Sequence, residues 1–90
     1  MTQRLQDRVV VVTGGGSGIG RGACLRAAQE GARVAVADIR LDLARGVAQE
    51  ITAEGGVAIA VACDVAAEDQ VQALVQTTVD EFGSLWGMVA

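Results

Sequence analysis

An α/β fold, the first half of a doubly wound parallel sheet, is predicted by three features of this 90-residue sequence. Short β-branched runs alternate with helical stretches in the order β-α-β-α-β-α-β. A glycine cluster stands between the first strand and the first helix. Hydrophobic residues make up 51 % of the chain, mostly Ala and Val, and the aromatics are only Phe82 and Trp86. Small aliphatic residues suit helices laid closely on a sheet. Alternation of this kind implies parallel strands joined by right-handed helical crossovers.

Each element has its own signal. Val9-Val10-Val11-Val12 is apolar on both faces, as a central parallel strand covered on both sides must be. It stops at Thr13 and the glycines. From 19 to 30 the pattern turns helical, with Ile19, Ala23 and Ala27 four apart; Gly22 keeps that face small against the sheet, and Gly31 ends the helix. Val34-Ala35-Val36-Ala37 is a second strand ending at Asp38. Leu43, Val47 and Ile51, flanked by Ala44 and Ala48, form one face of a second helix, broken by Gly55-Gly56. A third strand covers 57–62, with Cys63-Asp64-Val65 at its carboxyl end. From about Ala67, the residues Val71, Leu74, Val75, Thr78 and Phe82 mark the clearest helix. Glu68 and Asp69 lie in its first turn, against the positive end of the helix dipole. Gly83 closes it, and Met88-Val89-Ala90 begins a fourth strand.

Composition narrows the function. The net charge is −4, with seven Arg and eleven acids spread along the chain, so neither nucleic acid nor an anionic membrane is the natural partner. The chain contains no His, Lys, Tyr or Pro. Without Lys there is no standard Walker A site. Without His there is no serine-hydrolase triad, and no metal site is expected. Cys24 and Cys63 have no CxxC spacing and read as buried free thiols in a reducing cytoplasm. The polar start, Met1 to Arg4, shows no signal peptide, and no apolar run approaches the ~20 residues of a membrane span.

The glycine turn, Thr13-Gly14-Gly15-Gly16-Ser17-Gly18-Ile19-Gly20, is where chemistry concentrates. Gly14 allows the backbone angles of a sharp reversal. Gly18 lets backbone approach a ligand without a Cβ in the way, and Gly20 lets the helix sit close. Free N–H groups and the dipole at the helix start favour a pyrophosphate. Asp38 follows eighteen residues after Gly20. A carboxylate there accepts hydrogen bonds from ribose hydroxyls and repels a 2′-phosphate, so NAD is expected over NADP, although Arg40 lies close by. The alternative role for Asp38 is a solvated acid or a cap for the next helix.

These residues together resemble the amino-terminal, cofactor-binding half of the classical short-chain dehydrogenases/reductases, a Rossmann-type family. Thr13-Gly-x-x-x-Gly18-Ile19-Gly20 looks like the family's cofactor motif and Asp38 like its NAD-type acid. Cys63-Asp64-Val65 resembles its adenine-binding Asp-Val pair, and Phe82-Gly83-Ser84-Leu85 its Phe-Gly-x-Leu segment. The resemblance runs in order along the chain. It implies that Gly14, Gly18 and Gly20 shape the turn, and that Ser17 and the Ile19 backbone face ribose and phosphates. Ile19 would also lie near the nicotinamide, Asp38 would take the adenosine ribose, and Ile39 would lie against the adenine. The Asp64 side chain and the Val65 backbone would bind the adenine edge. Two plainer roles compete: Ile19 as core, and Asp64 as a tie for the loop before the third helix.

The sequence also departs from the family. Trp86 stands where the family usually has Asp and reads as a surface or subunit-contact residue. Ala66 stands where Ser or Thr commonly caps the third helix, so fraying is expected there. The family's catalytic Ser and Tyr-x-x-x-Lys pair have no counterpart in these residues, and Ser17 and Ser84 do not replace them, so no catalytic residue is assigned. The expectation is a single half-domain over 1–90 at the start of a longer enzyme. Its reaction would be hydride transfer between a secondary alcohol or carbonyl and nicotinamide, and its assembly a homotetramer or homodimer. Isolated, the all-valine first strand would be poorly covered along one edge. The rival readings are a non-catalytic dinucleotide-binding module or fragment, and a methyltransferase. The Thr-Gly-x-x-x-Gly-Ile-Gly spacing and the Asp-Val pair disfavour the latter.

Overall fold

A computed structural model describes residues 4–89. The reading of Met1 to Gln3 as a polar start, and of Ala90 as part of a strand, falls outside the described residues. The elements are β1 (Val9–Thr13), α1 (Gly18–Gln29), β2 (Arg33–Asp38), α2 (Leu41–Ala53), β3 (Val57–Ala62), α3 (Glu68–Phe82) and β4 (Gly87–Val89). They follow the predicted order. The four strands form one parallel sheet in the order β3-β2-β1-β4. The crossover from β3 back to β4 therefore puts α3 on the face opposite α1 and α2.

Alternation along the strands divides the core in two. Val10, Val12, Val34 and Val36 point to the face covered by α1 and α2, where Cys24, Ala27, Ala44, Val47 and Ile51 meet them. Val11, Ala35 and Ala37 point to the other face and meet Cys63 and Leu74. Thr78, also buried on α3, returns its hydroxyl to the Leu74 carbonyl at 2.8 Å, so the polar group is satisfied within the helix. The helix stops behave as anticipated: Gly31, Gly55 and Gly83 all take positive φ.

Four expectations need correcting. Ile19 is not part of the α1 core stripe; it is 94 % exposed, and Cys24 and Ala27 are the buried residues of that helix. Gly22 is exposed, and a Cβ there would meet nothing, so its smallness does not serve sheet packing. The valines of β1 are covered, at no more than 4 % exposure each: helices pack on both faces of the strand, and β4 pairs along its edge with Val10, Val11 and Val12. Exposure falls instead on Val57 in β3 and on Met88 and Val89 in β4. Finally, the residue at the α3 cap position is Ala67, not Ala66, and it makes no side-chain cap bond. The turn is braced from both sides instead: Asp64 Oδ1 accepts the Ala66 N–H at 2.9 Å, and Gln70 Oε1 accepts the Asp64 N–H at 2.8 Å.

Trp86 lies on the surface, as expected, with the Arg8 guanidinium 5.4 Å from its ring centroid.

Candidate functional site

The carboxyl ends of β1, β2 and β3 bring the sequence-selected residues to one edge of the sheet. After Thr13 the chain turns at Gly14, whose φ is +66°. The turn is then clamped from below. A Cβ on Gly15 would lie 2.9 Å from Val36 Cγ1 and 3.0 Å from Cys24 Sγ. A Cβ on Gly16 would lie 2.5 Å from Leu43 Cβ at the start of α2. Both glycines are buried, and the Gly15 N–H donates to the Ala37 carbonyl at 2.9 Å.

Ser17 is the N-cap of α1 and Gly18 its first residue, with φ +57°. Around Gly18 the space is open, as a close-approaching ligand requires. Gly20 is tighter than anticipated: a Cβ there would fall 1.9 Å from the Gly14 carbonyl oxygen. Its neighbour is the turn itself rather than the strand. The first α1 bond of the helical pattern runs from the Arg21 N–H to the Ser17 carbonyl at 3.2 Å. The N–H groups of Gly18, Ile19 and Gly20 therefore precede the helical ladder, at the positive end of the helix dipole. The Ser17 hydroxyl makes no cap bond.

Asp38 closes the second side of the site. Its Oδ2 accepts the Gly16 N–H at 3.0 Å and its Oδ1 accepts the Arg40 N–H at 2.9 Å. The plainer role of a cap for the next helix is not realised: the N-cap of α2 is Arg40, no side-chain cap bond is made, and Asp38 accepts only the N–H of Arg40 itself, a local turn contact. A carboxylate has about four lone-pair sites, so two backbone donors leave acceptor capacity for two hydroxyls. The Arg40 guanidinium pairs with Asp42 at 3.2 Å.

The third side is the loop after β3. The Cys63 N–H donates to the Asp38 carbonyl at 3.0 Å, which fixes this loop beside Asp38. Asp64 does tie the loop, through Oδ1 and through its own carbonyl, which accepts the Ala67 N–H at 3.0 Å. Burial and the adjacent Asp64 charge push the Cys63 thiol pKa up. Burial alone pushes Cys24 up to about 11, which keeps the thiol beneath the glycine turn neutral.

Ile19, Ile39 and Val65 are 94, 68 and 61 % exposed. Each belongs to one of the three segments that form this edge. Large aliphatic side chains left in water at the rim of a polar, glycine-lined edge suit the flat apolar faces of a ligand. Sequence reasoning overlooked Gly15, Gly16 and Gln70. Gly15 and Gly16 had a signal, the unbroken run of three glycines, but the partners that demand them lie far along the chain. A surface depression lies at the opposite edge, lined by Asp7, Arg33, Gly55 and Val57 among others. Among the described residues no cluster of His, Cys, Asp and Glu could hold a metal ion, and no helix is long and apolar enough to cross a membrane.

A parallel β-α-β sheet with a glycine turn opening its first helix, and an acid at the end of its second strand, defines a Rossmann-type fold. The family model for short chain dehydrogenase matches residues 8–90. The chain belongs to that family. It is 40 % identical over 85 residues to a cyclohexanol dehydrogenase of Acinetobacter sp. (strain SE19), covering 94 % of this chain and 34 % of that protein. Among solved structures it superimposes on a hydroxysteroid dehydrogenase from Escherichia coli with a TM-score of 0.93 at 35 % identity, covering 96 % of this chain and 37 % of the other. A 7 alpha-hydroxysteroid dehydrogenase complexed with NADH and 7-oxo glycochenodeoxycholic acid superimposes with a TM-score of 0.93 at 34 % identity, over 97 % of this chain and 34 % of the other. The chain thus spans about a third of the length of the relatives it matches.

Proposed function

We propose that residues 1–90 form the cofactor-binding part of an NAD-dependent short-chain oxidoreductase. The observation that carries this reading is the convergence of the open turn at Gly18, the Asp38 carboxylate and the Asp64-Val65 loop on one sheet edge. Gly14, Gly18 and Gly20 shape the turn. The Ser17 hydroxyl and the N–H groups at the start of α1 hold the phosphates and ribose. Asp38 holds the adenosine ribose through its remaining acceptor sites, Ile39 lies against the adenine, and Asp64 and Val65 meet the adenine edge. Ile19 lies near the nicotinamide. The residues fit such a group: the space at Gly18 is open, and the Asp38 carboxylate is held in place by two backbone donors.

When bound, the nicotinamide supplies hydride chemistry between a secondary alcohol and a carbonyl. The share of this segment is to bind and orient. It contains neither Tyr nor Lys, and the proton-transferring groups belong to the rest of a longer polypeptide that works as a homodimer or homotetramer in the cytoplasm. NAD is preferred over NADP because Asp38 would repel a 2′-phosphate, and the NADH held by the 7 alpha-hydroxysteroid dehydrogenase agrees with this. Calorimetric titration of the full polypeptide with NADH and NADPH tests the proposal. Tighter binding of NADH supports it. No binding of either, or tighter binding of S-adenosylmethionine, overturns it.

A further inference from the structure

Gln70 makes a contact that no cofactor motif requires. It sits in the first turn of α3, yet its side chain does not cap that helix. Its Oε1 reaches back and accepts the Asp64 N–H at 2.8 Å. The Asp64 carbonyl is already taken by the Ala67 N–H at 3.0 Å, and Asp64 Oδ1 by the Ala66 N–H at 2.9 Å. The residue before it, Cys63, donates to the Asp38 carbonyl at 3.0 Å. Leu74 of α3 packs on Cys63 at the start of this loop, and among the described residues the Gln70 bond is the one side-chain hydrogen bond that reaches the loop from α3.

From this geometry we propose that Gln70 is a positioning residue for the adenine end of the cofactor. It acts through Asp64 and Val65, and the inference rests on the function proposed above. Its amide holds the Asp64 backbone so that the free edge of the Asp64 carboxylate and the Val65 N–H keep a fixed spacing from Asp38. Without it the Asp64 N–H turns to water. The loop is then ordered only when the ligand arrives, and binding bears that ordering cost. Because Gln70 is exposed, its loss weakens binding without unfolding the protein.

The test compares NADH with reduced nicotinamide mononucleotide, which lacks the adenosine half, on the full polypeptide below its melting transition. In Gln70→Ala the Kd for NADH is expected to rise about fivefold, the scale of one net hydrogen bond, while that for the mononucleotide stays within about twofold. Gln70→Glu keeps the acceptor oxygen and is expected to recover most of the loss. An unchanged NADH Kd in Gln70→Ala overturns the proposal. So does a parallel loss for both ligands, which would mark general loosening. Failure of the wild-type protein to bind NADH would instead overturn the functional reading beneath it.

Discussion

Asp38 Oδ2 accepts the Gly16 N–H at 3.0 Å, so the acid at the end of β2 physically holds the glycine turn that leaves β1. The two halves of the candidate site are thus one unit. Asp38 braces the turn and, in the function proposed above, also offers a charge to a ribose; substitutions can separate the two. Asp38→Ala removes both and is expected to weaken NADH binding by roughly 1.5–3 kcal/mol while affecting NADPH less. Asp38→Asn keeps an acceptor for only one of the two N–H groups, Gly16 or Arg40, and loses the charge. It is expected to lower the melting temperature less than Asp38→Ala does, while losing preference for NADH. Equal losses for both cofactors would mean that Asp38 faces no ribose.

Two glycines of α1 make opposite predictions. Gly20→Ala drives a Cβ to 1.9 Å from the Gly14 carbonyl oxygen, an overpacking expected to cost about 3 kcal/mol or more. Gly22→Ala enters open space in the middle of the same helix and is expected to stabilise by up to about 1 kcal/mol. Denaturant melts of the two variants check the signs.

Ile19 separates folding from binding. At 94 % exposure it buries almost nothing in the fold. Ile19→Ser is expected to change stability by less than about 0.5 kcal/mol. It is expected to reduce NADH affinity by roughly 1–2 kcal/mol, part of the value of burying an aliphatic side chain. A large drop in melting temperature with unchanged affinity would reverse the assignment.

The buried thiol of Cys24 predicts a loss of stability in alkali. Its pKa rises from 9.0 to about 11 in the folded chain. Between those values the folded state binds more protons than the unfolded state, so stability falls as pH rises from about 9 to about 11. A shift of this size corresponds to on the order of 2–3 kcal/mol at the alkaline end. Cys63 shifts in the same direction, so Cys24→Ala is expected to flatten the slope without abolishing it. Equilibrium unfolding across that range provides the comparison.

Much of this architecture is written locally. Val9 to Val12 can only be a central strand, and the 3–4 spacing of Val71, Leu74, Val75 and Thr78 can only be a helix. Asp38 is legible because a fixed interval follows the glycine turn. What escapes local patterns is set by distant partners. Gly15 is demanded by Val36 and Cys24, and Gly16 by Leu43, contacts that no periodicity reveals. Ile19 fits the helical stripe by spacing, yet it lies in the first turn of α1 and is 94 % exposed, while the buried residues of that helix, Cys24 and Ala27, come later. Ala67 replaces Ala66 at the cap because the Asp64 turn consumes one more residue than the motif suggests.

In the proposed function the carboxyl edge of the sheet, not the depression at its opposite edge, receives the dinucleotide. Amide chemical-shift mapping of the isotope-labelled full polypeptide during NADH titration tests this most directly. The largest shifts are expected at the N–H groups of residues 14–20 and of Asp38, Ile39, Asp64 and Val65. Shifts centred on Asp7, Arg33, Gly55 and Val57, or no shifts at saturating NADH, would contradict it.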